Sequence, residues 1–505
     1  MVAEKGVCMK IILAGYNLDY ETIREFQESH PDQKNLTPET ISAAYARISR
    51  SPRSVDELRA IARQELEKAR QSNRNIVFEM GHSSVAEHAV FNIDVIGVSR
   101  LLVEEIEKFR LCSFTEKSQR YVLLEDDFVI PAEICEAGLE ESFVYIIRLQ
   151  NRFYHELYEK LKPYIFEKHQ DLATDPKNRT LLEGWAKEDA RYVISLATET
   201  QLGMTINARN LELMLRRLAA HPLAEAQEYS RKLYEVTKEV APSLIRYTEV
   251  TDYDRLTRQA LKERVKTLSG KKKVGTTSAA GETVCLVHAT PDADNRVITA
   301  LIHSSSSLPM SQCLQIVSSM DRREKEGLIK TVLRHIKAYD PVLREFENVD
   351  LHFELVISAS CFAQMKRHRM AAITGQEYDT SLGVTIPPSI KEIGMDKPFR
   401  QMISKTEKAY ELIKQKALVA ASYVLTNAHR KRISMKINAR ELYHIARLRA
   451  DRHAQWDIRK TSERMVNLGK KVMPLTLMLA TGKDGFNSLY DQAFAVESGY
   501  NSQPE

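Results

Sequence analysis

No two cysteines in this 505-residue sequence are spaced as Cys-x-x-Cys. The six present, Cys8, Cys112, Cys135, Cys285, Cys313 and Cys361, are scattered. That excludes a zinc site of the usual spacing and fits reduced thiols in a cytoplasmic protein. No run of about 18 apolar residues is present, so no membrane-spanning helix is expected. The N-terminal MVAEKGVCMKIILAGY has one apolar run, too short for a signal peptide. A dominant charge is also missing. Lys and Arg number 73 against 68 Asp and Glu, a surplus of 5. That slightly favours small anionic ligands and is too weak to argue for nucleic acid. With 43% hydrophobic and 28% charged residues, the bulk of the chain is neither disordered, collagenous nor coiled coil. At about 100–200 residues per domain, the length suggests two to four domains.

What the sequence does contain is written twice. TINARNL at 205–211 returns as KINAREL at 436–442, an offset of 231. Both continue with apolar residues at helical spacing, Leu211, Leu215 and Leu218 against Leu442, Ile445 and Leu448. EKFRLCSF at 107–114 returns as KRHRMAAI at 366–373, an offset of 259. AAYARISRSP at 43–52 has a weaker echo in TALIHSSSSLP at 299–309. The order agrees, so the chain reads as a tandem duplication whose second copy is shorter before its Asn-Ala-Arg segment. Residues 267–283 are rich in Gly, Ser, Thr and Lys and read as a linker. The copies are therefore placed at 1–266 and 284–505, each long enough for its own core. Strands are expected near 9–14, 90–96, 284–289 and 351–357. Helical periodicity covers 55–72, 99–110, 140–162, 208–218 and 400–424, giving an α/β or α+β fold class.

Four segments carry candidate chemistry. GHSSVAEHAVF at 81–91 sets His82, Ser84, Glu87 and His88 ahead of an alternating strand. It suits the polar wall of a ligand cleft or simple capping, whereas a metal site lacks a further cluster of ligands. In KFRLCSFTEKSQRY, 108–121, Glu116, Ser118 and Arg120 lie two apart. In an extended loop they point to one side and suit a nucleotide, although a solvated charged loop has the same pattern. QMKRHR at 364–369 concentrates Gln364, Arg367, His368 and Arg369 after an apolar strand and a small-residue stretch. In NARELYHIARLR, 438–449, Asn438 and Arg449 share a helix face about 16 Å apart along its axis, a span for a long ligand or two adjacent ones. A solvent-facing charged stripe is the plainer reading of that helix.

Together these motifs resemble the flavin-dependent thymidylate synthase family, as two fused copies covering nearly the whole chain. The family pattern is a His-x-Ser-x-x-Glu-His segment, then Arg-His-Arg, a Glu-x-Ser-x-Arg-Tyr loop, Asn-Ala-Arg and a helical Arg nine residues on. Neither copy is complete. The first keeps the His segment, Glu116, Ser118, Gln119, Arg120 and Tyr121, Arg191, and Asn207-Ala208-Arg209, but has Lys108-Phe109-Arg110, Glu105 and Leu218 at the other positions. The second keeps Gln364, Arg367-His368-Arg369, Asn438-Ala439-Arg440 and Arg449. Its loop reads Gly375-Gln376-Glu377-Tyr378-Asp379, Ser422 replaces the upstream Arg, and the His segment is not recognisable near YDPVLREF.

The resemblance implies a mixed sheet with flanking helices and reductive methylation of dUMP to dTMP. Methylenetetrahydrofolate is the carbon donor, FAD the cofactor and NADPH the reductant, and no cysteine nucleophile or metal is needed. It implies catalytic roles for Arg449 and Ser118, and substrate contacts from Gln364, Arg367, Glu116, Gln119, Arg120 and Arg191. Flavin contacts fall to Ser84, Glu87, Arg367, His368, Arg369, Asn438, Arg440, His444, Asn207 and Arg209, with His82 bordering the folate. Family sites are shared between subunits of a homotetramer, so the losses in one copy can face retentions in the other, and a homodimer of fused chains is expected. Two rival readings are a non-catalytic flavin- or nucleotide-binding protein and methylation of a different uracil nucleotide.

Overall fold

In the computed structural model, residues 9–18, 20–28, 37–39, 61, 64–75, 83–120, 122–271 and 283–498 are described. The echo at 43–52, most of the helix expected over 55–72, His82 and Tyr121 lie outside them. The described chain contains two four-stranded antiparallel sheets. The first holds β1 (Lys10–Tyr16), β2 (Val90–Ser99), β3 (Cys112–Glu116) and β4 (Glu199–Asn207), in the order β1-β2-β4-β3. The second holds β5 (Val284–Ala289), β6 (Asp350–Ser358), β7 (Ala372–Gly375) and β8 (Arg430–Asn438), in the order β5-β6-β8-β7. The same order recurs, so the duplication extends to topology and the fold is α+β.

The helices that matter below are α1 (Arg100–Ile106), α2 (Glu140–Lys168), α3 (Arg179–Ala190), α4 (Ala208–Ala219) and α5 (Ala224–Thr237), followed by α6 (Asp252–Lys271), α7 (Ala359–Met365), α8 (Asp396–Lys416), α9 (Ala439–Arg449) and α10 (Trp456–Val472). The residues expected as linker from 267 onward thus begin inside α6. The helix expected over 99–110 stops at Ile106, and the one over 400–424 breaks after Lys416, giving way to a 3-10 turn at Leu418–Val424. No helix is long and apolar enough to cross a membrane among the described residues.

Strands β3, β4, β7 and β8 were not expected from periodicity. β8 reads RKRISMKIN, and its inward residues are Lys431, Ile433, Met435 and Ile437. Charges on the outward positions, and a buried Lys among the inward ones, conceal the period of two. Lys431 is housed by aromatics, with Nζ 4.5 Å from the Tyr378 ring centroid and 5.0 Å from that of Phe362.

Strand register fixes the correspondence of the copies. Glu116 pairs with Leu202 and Gly375 with Ile433, which reproduces both offsets, 259 and 231. At the other end of β2 the offset is one greater, because Val90 pairs with Asn207 and Asp350 with Asn438. β2 carries one residue more than β6, taken up by a register shift in β2 between Ile96 and Val98, where Gly97 has φ 74°. That left-handed conformation suits glycine.

Compactness divides the chain differently from the repeat. One unit combines the first copy with residues 387–427, and the other combines the rest of the second copy, 283–386 with 428–498. In the first unit, α2 packs on α3 and α8. Gln150 Nε2 in α2 donates to Thr406 Oγ1 at 2.8 Å and to the Val424 carbonyl at 2.9 Å. The second unit buries one core between its sheet and α7, α9 and α10, including Leu351, Phe353, Ile433, Met435, Leu442 and Ile458.

Candidate active-site clusters

The first cluster lies in the first unit, around the chain leaving β3. The expected one-sided loop is corrected by the structure. The chain is extended only to Glu116 and turns from Ser118, whose carbonyl accepts from the Val122 N–H at 3.2 Å. Glu116, Ser118 and Arg120 therefore point to different partners. Glu116 is ion-paired with buried Arg100 and accepts from Thr200 Oγ1 at 3.3 Å. Its carboxylate anchors the loop. Ser118 Oγ accepts from the Arg120 backbone N–H at 3.2 Å. The Arg120 side chain reaches Glu188 Oε2 in α3 at 2.7 Å.

Glu188 also receives Arg191, whose Nε donates to its carbonyl at 3.2 Å. Burial pushes the Arg191 pKa down, against the carboxylate of Glu188. Asn427 completes the cluster: its Nδ2 donates to Gln119 Oε1 at 3.1 Å and to the Arg191 carbonyl at 3.0 Å. Two buried donors, Gln119 Nε2 and Arg191 Nη2, have no hydrogen-bond partner. Buried donors without acceptors are costly, and this pair suits an anionic or carbonyl-bearing ligand. Sequence reasoning missed Glu188, Arg100 and Asn427.

The second cluster lies in the second unit. Gln364, at the end of α7, is buried, and its Nε2 lies 3.4 Å from the Ser360 carbonyl and 3.5 Å from Gln455 Oε1. Across the next turn Arg367 and Arg369 are exposed while His368 between them is buried. Arg449 Nε donates to His368 Nε2 at 3.1 Å, and His368 Nδ1 faces Glu441 Oε1 at 3.3 Å. His444 meets the ring edge-on, with centroids 5.7 Å apart. Burial lowers the His368 pKa despite Glu441. A neutral imidazole is what Arg449 requires, since an imidazolium accepts nothing.

Asn438 and Asn207 play one role in the two copies. Each caps its helix, α9 or α4, by accepting a backbone N–H three residues on, at 2.8 and 2.9 Å. Arg440 reaches Glu347 Oε1 at 2.8 Å and the Val342 carbonyl at 2.9 Å. Arg209 is ion-paired with Glu87, while Ser84 is exposed in the same 3-10 turn, Ser83–His88. By the register at this end of the sheet, Glu347 is the counterpart of Glu87. The second copy thus keeps the Glu of the His segment, contrary to the expectation near YDPVLREF.

The model of a family described as thymidylate synthase complementing protein matches residues 33–243 and again 285–475. The chain belongs to this family. A UPF0159 protein of Thermoplasma acidophilum is 24% identical over 476 residues, 85% of this chain and 93% of that one. A flavin-dependent thymidylate synthase of Clostridium tetani is 31% identical over 213 residues, 42% of this chain and 82% of that one. A solved UMP/dUMP methylase from Streptomyces cacaoi, bound with 5-Br dUMP, aligns with 42% of this chain and 94% of that one at a TM-score of 0.32 and 19% identity.

Within this thymidylate synthase family fold, each cluster takes its motif residues from one copy, and Asn427 of the second copy joins the first cluster. Where the first copy has Arg100, Glu116 and Thr200, the second has Ala359, Gly375 and Lys431. Where the second has His368, Glu441, His444 and Arg449, the first has Phe109, Asn210, Leu213 and Leu218. Partners change together, so each cluster is either whole or dismantled. Beside the second cluster lies a cavity of about 250 Å³ lined by Lys337, Asp340, Met370, Arg440, His444 and Arg447. Lys337, Arg440 and Arg447 give this cavity a cationic lining, which fits the diphosphate of a dinucleotide cofactor.

Proposed function

We propose that the protein is a flavin-dependent thymidylate synthase. It converts dUMP to dTMP with methylenetetrahydrofolate as carbon donor and NADPH as reductant, and its two clusters serve one reaction. The observation that carries this reading is the division of labour: each copy retains, with its partners, the set that the other has lost. A bound FAD supplies the hydride. Arg367, His368, Arg369, Asn438, Arg440 and His444 hold it in the second copy.

Arg120 and Arg191 are the phosphate-binding guanidiniums of the reading. Glu188 pre-orients both, so less side-chain freedom is lost when the anion arrives. Gln119 offers its unpartnered Nε2 to a ligand oxygen, and Ser118 sits at the turn between them. Arg449 meets the uracil as its N3 proton leaves, and a fixed guanidinium favours that anion electrostatically. Gln364 and Arg367 complete the substrate contacts. Glu116 acts through Arg100 as a loop anchor, and Asn207 as a helix cap. Glu87 with Arg209, beside Ser84, keeps the form of a flavin contact but lacks the histidine and late arginine. We therefore expect one flavin per chain, and a homodimer presenting four copies.

The test is a visible spectrum of the purified protein, followed by an assay with dUMP, methylenetetrahydrofolate and NADPH. A yellow protein forming dTMP supports the proposal. A yellow protein without turnover supports the binding-protein reading, and turnover of UMP alone points to a different nucleotide.

A further inference from the structure

Within the second cluster, Glu441 follows directly on the Asn-Ala-Arg motif and has been given no role, yet it occupies a particular place. It follows the cap of α9 and is buried. Its backbone N–H is taken by Asn438, which leaves its carboxylate free to turn inward. Oε1 lies 3.3 Å from His368 Nδ1, and neither of these buried atoms has another hydrogen-bond partner. The opposite nitrogen of the same ring receives Arg449 Nε at 3.1 Å. In the first copy the residue is Asn210, whose side chain folds back onto the cap, donating to Asn207 Oδ1 at 2.8 Å. There the ring is Phe109 and the arginine Leu218. Carboxylate, imidazole and guanidinium are present together in one copy and absent together from the other.

We infer that Glu441 is a positioning residue for Arg449, acting through His368. A carboxylate accepts only, so the ring facing it carries its proton on Nδ1. That leaves the Nε2 lone pair toward the guanidinium, and Arg449 is held by its Nε. With the other tautomer, Nε2–H would oppose Arg449 Nε–H and the arginine would be released. The proton position is therefore assigned by hydrogen-bond logic from Glu441 outward. The inference rests on the proposed role of Arg449 for its kinetic consequence, but the coupling itself does not.

The experiment compares the full-length protein with Glu441→Asn, the residue of the first copy, and Glu441→Gln, which retains a carbonyl at the right reach. Protein labelled with 15N at His and Arg reports the His368 tautomer and the Arg449 Nε–H signal, each assigned by loss in His368→Phe or Arg449→Ala. Wild type and Glu441→Gln are expected to show a neutral ring protonated on Nδ1 and a protected Arg449 Nε–H. Glu441→Asn should lose both. In the dUMP assay, Glu441→Asn should lower kcat at least tenfold with KM within threefold, and Glu441→Gln should keep kcat within threefold. A Glu441→Asn protein with an unchanged tautomer and Nε–H signal overturns the inference, as does one that loses both signals while kcat stays intact. If wild type does not turn over dUMP, the proposed function fails, and the two nitrogen signals still decide whether Glu441 holds the arginine.

Discussion

Ser195 forms an antiparallel bridge with Thr426, the residue at its own position in the other copy. The flanking bonds run both ways: Leu196 N–H donates to the Leu425 carbonyl at 2.8 Å, and Asn427 N–H donates to that of Ile194 at 3.0 Å. A segment that pairs with its own counterpart is the hallmark of a two-fold contact between identical chains. Here the fused chain makes it internally, inside one compact unit. It also delivers Asn427 to Gln119 and Arg191.

Replacing Asn427 tests that delivery. Asn427→Ala removes the donor to Gln119 Oε1 and to the Arg191 carbonyl. It should cost about 1–3 kcal/mol in unfolding free energy, the usual penalty for unsatisfied buried groups. The KM for dUMP should rise several-fold with kcat little changed. Steady-state kinetics and a denaturant titration measure both, and an unchanged KM separates Asn427 from the substrate loop.

The Arg100–Glu116 pair predicts a sign reversal between single and double variants. Arg100→Ala takes the ion-pair partner from the buried Glu116 carboxylate and should cost about 3–5 kcal/mol. Arg100→Ala combined with Glu116→Gly removes both charges, as the second copy does with Ala359 and Gly375, and should be more stable than the single variant. Urea unfolding of the three proteins decides this. A double variant weaker than Arg100→Ala contradicts it.

Glu225 sets a pH dependence. It is buried and accepts from the Ser99 N–H at 2.7 Å, and from Ser99 Oγ and Tyr423 OH at 2.6 Å each. Burial nevertheless pushes its pKa up. The folded protein then holds this proton more tightly than the unfolded chain, so its contribution to stability falls as pH rises from about 4.3 toward the raised value. Glu225→Gln removes the titration. Wild type should lose stability relative to Glu225→Gln across that window, and a pH-independent difference would refute the assignment.

Much of this was legible in the sequence, and the limits have physical causes. The offsets of 231 and 259 reappear as strand register. β1, β2, β5 and β6 fall where apolar alternation placed them, because their inward faces carry no charged residue. β8 was hidden by Lys431, which is buried under two aromatic rings. Glu347 escaped notice because the bulge at Gly97 displaces the register by one residue, and an offset of 260 would have found it. Glu188 and Asn427 had no periodic or motif signal at all. Each acts through a partner at least 68 residues away along the chain. Leu218, at the position of Arg449, is a core residue at 3% exposure, so it cannot serve as a neutral control. Leu213, opposite His444, is 38% exposed and can.

The most direct test of the division of labour is dUMP turnover in four single variants of the full chain. Ser118→Ala and Arg449→Ala each remove a retained group. Loss of the Arg449 guanidinium should lower kcat by about 10²–10³, the range for removing one donor to a developing charge. Glu377→Ala and Leu213→Ala alter positions where the other copy's group has been lost, and both should stay within about threefold of wild type. Near-native turnover by Arg449→Ala, or a collapse in Glu377→Ala of the size expected for Ser118→Ala, would contradict the account.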